Sequence, residues 1–248
     1  MKRIVLVTAS LLAVTALAAC GDDDETSAGP TAGPTDTADA IDPANFTNVL
    51  DNPLFPLSSF AKQVYEGEEA DPDTGETIEV RVEVTVLPDE KTVAGVRVLV
   101  VREDAYENDE LVESTLDYFA QHTDGSVYYF GEDVNNYEDG ELKDHNGSWL
   151  AGEGDARPGI IMPPAPVVGD VFEQEQAPGV AEDRMTVLSV TEDVDVPAGS
   201  FSGCLKTEDV NPLDGTGAIE YKFYCPSVGF VMEEFPEGTL ELVETIEA

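Results

Sequence analysis

The chain has 248 residues, with 12 Lys and Arg against 52 Asp and Glu, a formal net charge of −40. Such a charge repels nucleic acid and anionic lipid headgroups and works against the compact state through self-repulsion, which excludes DNA or RNA as partners and a polybasic membrane patch. The acids read either as a solvated, solubilising surface or as sites for calcium or a cationic partner, and the solvated surface is the preferred reading.

Lys2 and Arg3 precede the apolar run Ile4 to Ala18, which is short for a membrane span and leads into Leu17-Ala18-Ala19-Cys20. A basic start, an apolar stretch and a small-residue site in that order predict a signal peptide over residues 1–19. Its removal takes away Lys2 and Arg3 and no acid, leaving ten basic and 52 acidic side chains, a formal −42. The small residues before Cys20 resemble the lipobox of bacterial lipoproteins. That resemblance implies a diacylglyceryl group on the Cys20 thiol, cleavage before it, and acylation of the new amino terminus, palmitate being the expected chain. Two or three chains hold a protein durably at a bilayer, where one gives only reversible binding. The expected partner is therefore a membrane, through Cys20, and the expected place is the exported bacterial envelope, facing periplasm or exterior.

Gly21-Asp22-Asp23-Asp24-Glu25 and the Thr-, Ala-, Gly- and Pro-rich stretch to Ala40 lack the large apolar side chains needed to offset ordering entropy. Residues 20–41 read as a lipidated, disordered acidic tether with a reach of roughly 25 Å. Residues 42–248 carry no repeat and no second low-complexity break, and read as one β-rich domain. Asp42 to Leu50 is the best candidate for a short helix, with Pro43 at its first turn.

Strand alternation dominates the rest. From Thr77 to Leu87, Ile78, Val80, Val82, Val84 and Val86 share one face while Glu79, Arg81, Glu83 and Thr85 share the other. Thr92 to Glu103 is apolar on both faces at its centre. Pro88-Asp89-Glu90-Lys91 is expected to join these two strands, and Glu107-Asn108-Asp109-Glu110, Asp124-Gly125 and Asp139-Gly140 read as further hairpin turns. More strands are expected near Leu111 to Gln121, Val127 to Gly131, Val171 to Gln176, Asp183 to Thr191, Ser202 to Asp209, Ile219 to Tyr224, Val228 to Phe235 and Leu240 to Ile246. The fold class is all-β: a large, curved antiparallel meander of about ten strands, partly closed into a barrel or sandwich, with few or short helices.

Cys204 and Cys225 remain after Cys20 is assigned, and in an exported chain an even pair reads as a disulfide. If they face each other across one antiparallel hairpin, Thr207 meets Lys222 and Val210 meets Ile219, with a loop from Asn211 to Ala218. That register puts Lys206 and Glu208 on one face with Tyr221 and Phe223, which requires a bulge or a partly solvated face.

Chemistry is sparse. His122 and His145 form no zinc motif, and no nucleophile elbow, P-loop or dinucleotide fingerprint is present, so no catalytic, cofactor-binding or metal-ligating set is assigned. Asp71 to Glu76 and Glu132-Asp133-Val134-Asn135 offer oxygens at alternate positions but complete no EF-hand, so calcium stays a reading that is not preferred. Tyr118, Phe119, Tyr128, Tyr129, Phe130, Tyr137 and Trp149 cluster in the middle third. Tyr128, Phe130 and Trp149 are the candidates for an aromatic ligand pocket, with ordinary core as the alternative.

Asn52-Pro53-Leu54-Phe55-Pro56-Leu57, Val64-Tyr65-Glu66-Gly67, Tyr118-Phe119-Ala120-Gln121, Asp124-Gly125 through Tyr129-Phe130-Gly131-Glu132, Pro158-Gly159-Ile160-Ile161-Met162-Pro163 and Val196-Pro197-Ala198-Gly199-Ser200-Phe201 span nearly the whole domain. Together they resemble a widespread group of uncharacterised exported bacterial lipoproteins, from which this chain departs at Ser58-Ser59-Phe60, where a Pro-Gly turn is usual. The resemblance implies no activity. A more distant likeness is to the curved sheets of envelope lipid-binding half-barrels, by analogy of fold. Three functions stand: a non-enzymatic module that binds a ligand or partner, which is preferred; a structural or surface-solubilising lipoprotein; and a hydrolase using two carboxylates.

Overall fold

The structure is a computed structural model that describes residues 41–248 except 72, 73, 214 and 216. The expected signal peptide, Cys20 and the tether as far as residue 40 lie outside the described residues.

A single 3-10 turn, Pro43–Asn45, opens the described chain in place of the expected helix, capped by the Asp42 carboxylate accepting from the Ala44 N–H at 3.0 Å. Phe46 then extends into β1 (Phe46–Thr47), because its ring is drawn between His122, Tyr128 and Phe130 and its backbone pairs opposite His122. A second 3-10 turn, Leu57–Ser59, holds Ser58-Ser59 and leads into β2 (Phe60–Ala70). The N-terminal meander continues with β3 (Thr77–Val93), β4 (Val96–Glu107), β5 (Glu110–His122) and β6 (Val127–Glu138). Short strands β7 (Glu141–Asp144), β8 (Trp149–Leu150), β9 (Arg157–Met162), β10 (Val171–Glu173) and β11 (Glu175–Gln176) follow. The C-terminal meander comprises β12 (Arg184–Val196), β13 (Gly199–Val210), β14 (Glu220–Cys225), β15 (Gly229–Phe235) and β16 (Gly238–Glu247).

All pairings are antiparallel, and β16 joins β2, so the two meanders make one sheet in the order β10-β12-β13-β14-β15-β16-β2-β3-β4-β5-β6-β9-β11. The expected all-β meander is what the chain forms. The strand Val171 to Gln176 closes it: Val171–Glu173 pairs with β12, and two residues later Glu175–Gln176 pairs with β9. One extended segment thereby bridges the two edges over a few residues each, so the barrel is nearly closed and its edges are shortened, a recurrent defence against edge-to-edge aggregation. Gly159 makes the bridge geometrically feasible. A Cβ there would lie 2.1 Å from the Gln174 carbonyl oxygen, so any larger residue would push the closing segment off β9.

The β3 alternation is as expected, with Ile78, Val80, Val82 and Val84 buried. The expected turn at Pro88–Lys91 is instead a register shift inside β3, and the chain reverses at Ala94-Gly95. Both of those residues have positive φ, 49° and 82°, as a type I′ hairpin requires. The Asn108-Asp109 and Asp139-Gly140 hairpins do the same at the expected places.

Cys204 and Cys225 are joined by a disulfide, and the flanking strands take the register that their pairing implies, with Thr207 opposite Lys222 and Lys206 opposite Phe223. The ladder stops at Asp209 opposite Glu220, one step short of the expected Val210 and Ile219 pair, while on its other side β13 continues to Val210 opposite Arg184 of β12. The face shared by Lys206, Tyr221 and Phe223 is half-solvated, and the Lys206 ammonium lies over both rings at 4.4 and 4.7 Å.

Candidate functional site

The segment from Leu50 to Phe60 folds across one end of the barrel as a lid, and the reason lies in Asn52. Its side-chain amide donates to the carbonyls of Gly125 and Pro163 at 3.0 and 3.1 Å, and its Oδ1 accepts from the Leu54 N–H. The backbone N–H groups of Asp51 and Asn52 both donate to Gln121 Oε1, whose amide returns a bond to Asp51 at 2.6 Å. Ser227 N–H reaches Pro53 O from the β14–β15 turn. Four segments quoted above for their resemblance, those holding Asn52, Gln121, Gly125 and Pro163, therefore meet at one barrel end.

Beneath this lid lies a small cavity of about 30 Å³, room for about two water molecules. Phe55, Leu57 and Phe60 of the lid cover it, and Val84, Val101, Phe119, Tyr224 and Phe230 form most of its wall. Gln63, Tyr65, Glu103 and Asp117 interrupt the apolar lining. The Tyr65 hydroxyl donates to Gln63 Oε1 at 2.8 Å, and Gln63 holds the β14–β15 turn through Val228 O at 3.1 Å. Asp117 accepts from the Tyr129 hydroxyl at 2.6 Å. Burial, with the charge of Glu103 second, pushes the Tyr65 phenol well above its ordinary range, so it stays a neutral donor.

Behind the cavity the barrel holds an ionic layer. Lys222 is buried, with Asp209 at 3.7 Å, Glu233 at 3.8 Å and Glu220 at 3.9 Å from its ammonium. Burial works against that ammonium, but the three carboxylates outweigh it and its pKa is raised. Gln174, brought inside by the closing segment, donates to Asp209 at 3.2 Å. Around this layer Glu132, Glu175 and Glu233 are buried with pKa values well above the carboxylate range, in each case first through desolvation. Glu132 is pushed further by the charges of Glu175 and Asp117, and Glu175 by that of Asp183. The Trp149 indole faces Glu175 and favours its ionised form, although the N–H closes no hydrogen bond of standard geometry. Neutral carboxyls are the expected outcome for Glu132 and Glu175, because an unpaired charge in such an interior costs far more than a proton, whereas Glu233 shares the ion pair with Lys222.

The three aromatic candidates do not share a pocket. Tyr128 and Phe130 sit on one side of β6, both edge-on to Phe46 at 5.4 Å, while Trp149 packs edge-on to Tyr129 on the other side at 5.5 Å. Strand alternation divides them, and none lines the cavity beneath the lid. The residues that do line it escaped the sequence reading because Glu103 and Asp117 look like any other acids in a chain holding 52. One usable signal was present: Asp117 alternates with Thr115 and Phe119 on the buried face of β5.

The calcium candidates diverge for the same reason. Glu132 points inward and is buried, Asp133 pairs outward with Lys91 at 3.3 Å, and Asp71 spends its carboxylate on the Thr74 N–H. Among the described residues no group of three or more Asp, Glu, His or Cys side chains is placed to hold a metal ion.

No protein-family model and no curated protein matches the chain. Two solved structures resemble it. One is described as an exported protein with a YmcC-like fold from Bacteroides fragilis, 14% identical, with a TM-score of 0.37 over 75% of this chain and 99% of that one. The other is described as a lipoprotein from Parabacteroides distasonis, 14% identical, with a TM-score of 0.41 over 77% of this chain and 97% of that one. Likenesses this slight carry no argument about function.

Proposed function

We propose that the protein is a lipid-anchored envelope module, non-enzymatic, whose barrel binds a small and largely apolar ligand beneath the Leu50 to Phe60 lid. The observation that carries this reading is the cavity under the lid: small, aromatic on its walls, and interrupted by a few polar groups, the lining chemistry of a small-molecule site that a shift of the lid would enlarge. A purely structural lipoprotein would have no use for an unfilled interior, since packing to native density stabilises the fold. A carboxylate hydrolase needs two carboxyls converging in an open cleft. The strongly perturbed pair here, Glu132 and Glu175, is buried and lies off the cavity. Anchoring rests on the Leu17 to Cys20 box, and membership of the exported lipoprotein group rests on the six quoted motifs.

Native mass spectrometry of the full chain purified from its own host tests the binding role. A co-purifying molecule lost on unfolding is expected. A ligand-free protein that no apolar probe stabilises overturns the proposal.

A further inference from the structure

We propose that the loop of residues 164–169, with Val171 and Leu188 beside it, is a face that rests in the bilayer carrying the protein's own lipid anchor. This rests on the Cys20 anchor and names the part of the barrel that the anchor holds against lipid.

Residues 158–169 run for twelve positions without a charged or polar side chain, the longest uncharged stretch after residue 25 in a sequence holding 52 acids. The first part is β9, but Pro164, Ala165, Val167 and Val168 are exposed, the two valines at 62% and 59%. Gly169 N–H donates to Val187 O and Val187 N–H to Asp170 O, both at 2.9 Å, which fixes the loop to β12 beside Leu188. Val171 pairs opposite Thr186, and Leu188 stands two residues further along the same face, a diagonal neighbour of Val171. Those two side chains are 58% and 38% exposed and extend the loop valines into one apolar patch. Single exposed valines need no explanation, but a contiguous charge-free group on so acidic a surface marks a contact.

The point where the described chain begins decides what covers the patch. Asn45 O accepts from the Thr123 N–H at 2.9 Å, and Pro164 Cβ lies 3.2 Å from where a Cβ on Gly125 would stand. Ile41 and the loop therefore flank the same β5–β6 turn at the lid end, and the 20 residues between Cys20 and Ile41 join the barrel there. Strands β2 to β5 hold 11 to 17 residues, roughly 36 to 56 Å at about 3.3 Å per residue, against a reach of roughly 25 Å expected for the tether. The anchor thus holds the lid end toward the bilayer and the opposite end away from it. Once the chain is tethered the second contact is intramolecular, so a patch too weak to bind lipid alone suffices. The acids nearest this end spend carboxylate oxygens on the protein: Asp51 accepts from the Gln121 amide at 2.6 Å, Asp124 from the Ser126 N–H at 2.8 Å and Asp170 from the Val167 N–H at 3.0 Å.

Fluorescence quenching tests the inference on the lipidated full chain, reconstituted in phosphatidylcholine vesicles that contain a nitroxide-labelled acyl chain. An environment-sensitive fluorophore is placed on Val168→Cys or, for comparison, on Leu142→Cys. Leu142 is also apolar and 52% exposed, but it lies on β7 beyond the Asp139-Gly140 turn, at the opposite end of β6. With Cys20 lipidated and Cys204 bridged to Cys225, the added thiol is the one labelled. An interfacial apolar face sits roughly 5 to 10 Å into the headgroup and acyl boundary, so quenching at 168 is expected to be at least about twofold stronger than at 142. A blue shift at 168 should appear only with vesicles. Val171→Asp combined with Leu188→Asp should bring quenching at 168 down to the 142 level while the protein still floats with the vesicles. Equal quenching at both positions in a protein that floats, or no change in the Asp variant, overturns the docking face and leaves the anchor standing. Emission at 168 that is blue-shifted without lipid and shifts further with protein concentration assigns the patch to a second copy of the chain and also overturns it. A chain that does not float removes the anchor, and this inference with it. Should Val168→Cys fail to fold, Ala165→Cys carries the same comparison.

Discussion

Glu113→Gln is expected to stabilise the barrel at alkaline pH and to leave it nearly unchanged in mild acid. Glu113 is 5% exposed on β5, in the buried row that continues through Thr115 and Asp117. Burial, offset in part by the Thr115 hydroxyl donating to Oε1 at 2.8 Å and reinforced by the charge of Asp117, raises its pKa from 4.5 to about 7. Below pH 4.5 the carboxyl is protonated folded or unfolded, and its burial costs little. Between 4.5 and about 7 the unfolded chain gives up the proton while the native state keeps it, so stability falls as pH rises, and above about 7 the loss is complete. The raised pKa corresponds to about 3 kcal/mol. Glutamine mimics the protonated acid and keeps an Oε1 for Thr115. Urea titrations at pH 5 and pH 8 should therefore show the variant close to wild type at the first and about 3 kcal/mol more stable at the second, with m unchanged. For a domain of this size that is roughly 6 to 12 °C in Tm. A difference between the two proteins that does not grow with pH, or that grows in favour of wild type, refutes the reasoning.

Cys20→Ser should release the protein from membranes or leave an uncleaved precursor; detergent-phase retention at wild-type mass would sink the anchor. Reducing the Cys204–Cys225 bridge, which spans 21 residues, should cost about 3 kcal/mol on the chain-entropy model. Free alkylation of both thiols under denaturing, non-reducing conditions would show that no bridge forms. Gly159→Ala should destabilise by about 1 to 3 kcal/mol and raise proteolysis within residues 171–176, because its Cβ meets backbone that only a shift of the closing segment can clear; wild-type stability would show that the segment yields freely. Tm should rise between low and roughly molar monovalent salt as screening relieves carboxylate repulsion, and a calcium effect well beyond magnesium at matched ionic strength would overturn the preference for a merely solvated surface.

Much of the sheet was legible in the chain because its signals are local. Alternation in Thr77 to Leu87 needs only neighbours two residues apart, and Asn108-Asp109 reverses the chain through its own tolerance of positive φ. Cys204 and Cys225 even set a register, since a cross-strand pair fixes every other pairing of its hairpin. The Ala94-Gly95 turn was hidden because Ala is a poor advertisement for positive φ, while Pro88-Asp89 offered turn chemistry that the strand absorbed as a bulge. The site depended on contacts distant in sequence. Alternation places Glu113, Thr115 and Asp117 on one face of β5 but not inside a barrel, because which face is buried depends on the closing segment Val171 to Gln176 docking on β9 across Gly159. Lys222 and Glu233 lie opposite each other only once β14 and β15 pair, and a cavity exists only once Asn52 has drawn the lid to Gly125 and Pro163. Local pattern decided the strands, and long-range closure decided which acids lost their water.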